Sequence, residues 1–169
     1  MKTAWRGILK IDQIEHIREG EVIWSDENIH NVLHQEGESF LLSVCFANDG
    51  SILPSNYYFG LDARSTIAIT DTISSLFDEP ISGGYSRIPI SSSSQFTIES
   101  VNGIYRATSP FIIFTASGAG FGPVSNLFMV TSSDSSGVLI SSASLSSAIT
   151  LASGDTVNLK MSLQLHDSA

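Results

Sequence analysis

Hydrophobic and polar positions alternate most cleanly near the C-terminal end of the chain. Val157, Leu159, Met161, Leu163 and Leu165 interleave with Asn158, Lys160, Ser162 and Gln164. That is the period-two signature of a strand with one buried and one wet face. Upstream, apolar stretches at about 85–90, 95–99, 104–108, 110–116, 124–131 and 137–144 predict further strands, and the last strand spans about 156–165. Gly, Pro, Asn and Ser separate them, and Asn102-Gly103 suits a two-residue type I′ hairpin turn, whose central residues both need positive φ. Short strands at this spacing predict a mainly β protein, an antiparallel β-sandwich or jelly roll.

The first half reads differently. Residues 4–12 and 20–25 predict two strands around a turn at Glu19-Gly20-Glu21, with Trp5, Leu9 and Ile11 on one face of the first and Val22 and Trp24 on one face of the second. Ile14-Glu15-His16-Ile17 either extends the first strand or forms a short helix. From Ser25 to Phe46 the period changes: Ile29, Val32, Leu33, Glu36, Phe40, Leu41 and Val44 recur at helical spacing, predicting a helix over about 26–46. Asp26 or Asn28 would cap it. Gly37, which costs about 1 kcal/mol relative to Ala in a helix interior, would bend or split it. Asn56 to Leu61 is aromatic and β-prone, a buried strand. Residues 70–77 predict a short helix with Ile73, Leu76 and Phe77 facing inward. The expected organisation is an N-terminal arm, 1–25, followed by one β-sandwich domain with a helical insertion, 26–169.

Composition narrows the function. A chain of 169 residues with 42% hydrophobic residues is one folded domain in size and content. Its net charge of −9, with only eight scattered Lys and Arg, argues against nucleic-acid binding, which needs clustered cations. The polar start and the short longest apolar run, Phe111 to Phe114, predict neither a secretory signal nor a membrane span. Charge is concentrated in the first forty residues. Between Ser91 and Ser153 only Glu99, Arg106 and Asp134 are charged, and Ser and Thr fill the polar positions. Such a β surface has weak electrostatic protection against association, which suits a surface covered by partners.

Candidate chemistry is sparse. His30 and His34 would share a face of the predicted helix, but the segment lacks the His-Glu-x-x-His arrangement and a third ligand, so no metal site is expected. No Gly-x-Ser-x-Gly elbow is present, and Ser117 to Gly122 reads as a tightly turned loop between strands rather than a phosphate loop. Cys45, the single cysteine, sits in an apolar run and is expected to be buried. Neither a catalytic residue nor a cofactor is expected. The one concentration of aromatics, glycines and charge is Tyr57-Tyr58-Phe59-Gly60-Leu61, followed by Glu79-Pro80 and Gly83-Gly84-Tyr85-Ser86-Arg87. Arg87 can form a bidentate contact with Glu79 and so pin the Glu-Pro loop to the first strand of the sandwich. The alternative is contact with a neighbouring subunit.

Asn28 and Asn31 leading into Gly37-x-x-x-Leu41-Leu42, then Tyr58-x-Gly60-Leu61, then Glu79 and Gly84-Tyr85-x-Arg87, before a Ser/Thr-rich β tail, resemble tailed-bacteriophage virion structural proteins. These are head decoration (cement) or tail-fibre-like proteins. The resemblance covers residues 28–165 and brings no catalytic residues. It implies a non-enzymatic protein of the virion, assembled in the host cytoplasm, whose partners are the major capsid protein and copies of itself as a homotrimer. The short chain without repeats favours a cement protein. A tail-fibre or baseplate component, or a carbohydrate- or receptor-binding module, is the alternative. Trp5, Trp24, Tyr57, Tyr58, Gly60, Glu79, Tyr85 and Arg87 are the structural or interface candidates.

Overall fold

A computed structural model describes the backbone of residues 4–47, 50–76 and 78–168, and side chains between residues 10 and 164. The side chains of Trp5, Leu9 and Leu165, and all of Phe77, lie outside the described residues.

Two antiparallel sheets pack face to face as a β-sandwich. The first carries the order β2-β1-β11-β7-β6, built from Glu21–His30, Ala4–Arg18, Thr156–Ser168, Ile104–Thr108 and Thr97–Val101. Strand β8, Ile112–Thr115, pairs with β11 beyond the end of β7. The second sheet has the order β3-β10-β9-β4-β5, from Val32–Leu33, Leu139–Leu151, Phe121–Val130, Asn56–Asp62 and Ile88–Ser91. The alternation of the last strand has the predicted cause: Val157, Leu159 and Met161 are buried between the sheets. Strand β1 lies along β11 in antiparallel register from Ala4 opposite Ser168 to Ile17 opposite Thr156, and brings Ile11 and Ile14 into the same core. Both predicted hairpin turns form, with positive φ at Glu19 and Gly20 and at Asn102 and Gly103. Residues 14–17 extend the first strand.

Several local expectations are corrected. The helix predicted over 26–46 is confined to α1, Gln35–Phe46. Residues before it form β2 and β3, which belong to different sheets. Ile29 packs on the core from the first sheet and Leu33 from the second. Changing sheets near Asn31 resets the strand alternation, and the reset mimics helical spacing. Asp26 and Asn28 are therefore strand residues rather than caps, and Asn28 has positive φ. Gly37 does not split the helix. It lies in the first turn, directly against the backbone of Ile140, where a Cβ would overlap the Ile140 carbonyl oxygen. Val22 and Trp24 take opposite faces because the register with β1 shifts between them: His16 faces Trp24 and Ile17 faces Val22. The helix predicted over 70–77 is a single 3₁₀ turn, Ile73–Ser75, closed by the Ser75 hydroxyl against the Thr72 amide and carbonyl. Cys45 is exposed, not buried.

The connection between β4 and β5 makes a third layer. Ile67, Ile73 and Leu76 from this segment cover Phe128, Val130 and Leu139 on the outer face of the second sheet. Glu36 fastens it: one carboxylate oxygen accepts the amides of Ile73 (3.0 Å) and Leu139 (2.8 Å). His34, fully buried, adds a second tie, with Nδ1 3.3 Å from the Ile69 carbonyl and Nε2 2.8 Å from the Ser142 hydroxyl.

Candidate functional site

The two halves of the aromatic and glycine-rich block meet in space. Strand β4 pairs with β5 from Asn56 opposite Ser91 to Phe59 opposite Ile88. The β4–β5 pairing ends at Phe59 opposite Ile88, so Leu61, which is fully buried, needs other partners on that side. The Tyr85 hydroxyl supplies them. It accepts the Leu61 amide at 2.8 Å, lies 3.3 Å from the Leu61 carbonyl, and is 2.8 Å from Glu79 Oε2. Its ring stacks on Phe114 and meets Phe121 edge-on. Burial first, then the Glu79 carboxylate, pushes the phenol well above its usual range, so it remains a neutral donor.

Gly60 is required beside it. A Cβ there would collide with the Phe128 ring and stand 2.8 Å from the Tyr85 hydroxyl. Arg87 completes the group. Its Nη2 and Nε reach Glu79 Oε1 at 2.5 and 3.2 Å, and its Nη1 donates to the carbonyls of Ser132 (3.0 Å) and Asp134 (2.7 Å). The guanidinium carbon lies 5.3 Å over the Phe128 ring, a cation–π contact. The expected Glu79–Arg87 pair is therefore present, and it binds the Glu-Pro loop to the start of β5 and to the β9–β10 turn. Gly83 and Gly84, both at positive φ, make the tight approach that lets the Ser117 amide donate to the Gly83 carbonyl at 2.8 Å.

The remaining candidates are elsewhere. Tyr58 packs on the third layer, and Tyr57 meets Phe96 edge-on near the other end of β4. Trp24 is half-buried against the main core, far along the first sheet, and Trp5 falls at a described backbone position opposite Asp167. His30 and His34 share no helix face: the first is exposed on β2 and the second is buried ahead of α1. Among the described residues, no three His, Cys, Asp or Glu side chains gather as metal ligands would.

One polar cluster had escaped the sequence reading. Buried Asp155 accepts from Arg18 through Nε (3.0 Å) and Nη2 (2.7 Å), from the Ala152 amide (2.9 Å), and contacts buried His16 Nε2 at 2.8 Å. It closes the β10–β11 turn onto β1. The Arg18 hydrogen bonds hold its carboxyl well below the usual range. His16 lies in the stretch left open between strand and short helix, Arg18 lies just beyond it, and their partner is far away in sequence, so no local signal marked the cluster.

Chemically, these groups are committed. Each Glu79 oxygen already has a donor, and Asp155 is saturated. A cleft of about 480 Å³ lies beside Glu79, between the Glu-Pro loop and the Gly120–Pro123 turn. A second, of about 300 Å³, is lined by Gln95, Thr97, Glu99, Phe111 and Lys160. Compared with protein-family models and with curated proteins, the chain matches none.

Proposed function

We propose that this chain is a non-enzymatic bacteriophage virion structural protein, a capsid cement or decoration protein that binds the major capsid protein and copies of itself. The observation that carries the reading is the exposed apolar surface of a charge-poor β-domain. Ile98 and Tyr105, on the face of the sheet shared with Ala107 and Leu163, and Ile113 with Phe111, on the opposite face beside Asn158 and Lys160, are all exposed within the stretch that has only three charged residues. Single exposed apolar residues are ordinary, but several at one end of a sheet, with only the Glu99–Arg106 pair and Lys160 as charges beside them, suit an interaction surface. The framework around Tyr85 fits the same reading, because Tyr85, Glu79 and Arg87 brace the Glu-Pro loop against β4 and β5. The mechanism is passive: contact area gained on the shell lowers the free energy of the assembled state. In this reading the protein is a homotrimer located in the virion after assembly in the host cytoplasm. Mass spectrometry of purified particles tests it; a chain absent from particles refutes it.

One observation favours a second reading, a carbohydrate- or receptor-binding module of the tail. The 300 Å³ cleft places the exposed Phe111 ring beside Gln95, Thr97, Glu99 and Lys160, an aromatic platform with polar groups around it. Glycan binding by the isolated protein, abolished by Phe111→Ala, would establish it. No binding to cells or glycans would exclude it.

A further inference from the structure

Helix α1 is apolar on more faces than the fold covers. From Phe40 to Phe46 every residue except Ser43 is hydrophobic, yet Gly37 is the only fully buried position of the helix. Phe40 packs against the core, while Leu42 and Phe46 are 53% and 85% exposed. The chain that follows adds Ile52 at 80% and Leu53 at 60%. A helix that is hydrophobic all round is normally buried. We propose that α1, with Ile52 and Leu53, packs against the same surface of further copies of this chain, and so forms the symmetric contact of the homo-oligomer. The inference rests on the self-association in the proposed function and names the surface responsible.

Three observations favour a second copy as the occupant. The first is area. At roughly 150–200 Å² per large apolar side chain, the four exposed residues present on the order of 400–550 Å². Exposed apolar area of that size is what the apolar centre of an interface of about 800 Å² per partner requires. The second is charge. Copies with a net charge of −9 repel one another, yet on this stripe only Glu38, one turn before Leu42, is charged, and from Ser39 to Leu61 the chain carries a single charged residue, Asp49. Self-association through this stretch brings few like charges together. A partner recognised by charge would find little to pair with. The third is shape: Leu42, Cys45 and Phe46 form an i, i+3, i+4 stripe, which packs on its own symmetry mate by ridges into grooves.

The test is light scattering during size-exclusion chromatography of the full chain at micromolar concentration, for the wild type, Phe46→Glu, Leu42→Glu and Ile98→Glu. The expected result is an oligomeric wild type and Ile98→Glu, with Phe46→Glu and Leu42→Glu monomeric. Association of these two should weaken by about 100-fold or more, the loss of one buried large side chain plus the burial of a charge. Because Phe46 is so exposed, circular dichroism of the monomeric variant should match that of the wild type. Cys45, the chain's only cysteine, gives an independent readout, since its labelling by a thiol reagent should be slower in the wild type than in Phe46→Glu. A monomeric wild type, an oligomeric Phe46→Glu, or equal labelling rates would overturn the proposal. Particle mass spectrometry is independent of it: a monomer found in virions sinks only this interface, and an oligomer absent from virions sinks only the cement reading.

Discussion

Replacing Tyr85 by Phe removes one oxygen and leaves the aromatic packing in place, so the cost is readable from the hydrogen bonds alone. The ring keeps its contacts with Phe114 and Phe121. Glu79 keeps Arg87, which holds it through two nitrogens. What is lost is the partner of the Leu61 amide, at 2.8 Å, on a residue with 0% exposure. Water cannot replace it without opening the edge of β4. An unsatisfied buried amide costs about 1–3 kcal/mol, and we expect about 2 kcal/mol of lost stability. For a domain of this size that lowers Tm by about 4–8 °C. Urea titration should show a lower midpoint with an unchanged slope, because the same surface is exposed on unfolding. Tyr105→Phe, at an exposed position, is the control and should change nothing. A loss below about 0.5 kcal/mol for Tyr85→Phe would mean that the hydroxyl does not close the β4 edge.

Other variants probe the remaining ties. Asp155→Asn should cost about 2–3 kcal/mol at neutral pH, since it strands buried His16 and weakens the hold on half-exposed Arg18. Because the folded carboxyl is held below its unfolded value, the wild type keeps this contribution above about pH 4. It loses it as pH falls through the folded value, so the variant's stability should fall less steeply in acid. Burial lowers the His34 pKa, so below about pH 6.5 the unfolded chain takes up a proton that the buried ring resists. Denaturation at pH 5 to 7 should show wild-type stability declining as pH drops, and His34→Gln should flatten that decline. Gly37→Ala should destabilise by about 2 kcal/mol in the same assay, because its Cβ overlaps the Ile140 backbone.

Legibility in the sequence followed the locality of the signal. The β11 alternation and the Asn102-Gly103 turn are written in neighbouring residues, so both were predicted as they stand. Glu79 and Arg87 are eight residues apart on one connection, and their pairing was also visible. The third layer was visible in part: Ile73 and Leu76 do face inward as predicted, but from a single 3₁₀ turn rather than a helix, and Ile67 comes from a coil that has no period to read. The Asp155 cluster joins residues more than 130 positions apart. The stretch from Ser25 to Phe46 misled for a physical reason, since two strands in different sheets reproduce helical spacing by a change of sheet. Cys45 misled because an apolar run was equated with burial within one chain. On α1, Leu42, Cys45 and Phe46 of that run face outward, while Phe40 packs on the core.

The central claim is that this is a building block of a virion, and purified particles test it most directly. Quantitative mass spectrometry should find the chain in a fixed ratio to the major capsid protein, and particle images should place added density on the head shell. Absence of the chain from particles that are otherwise complete would contradict the account.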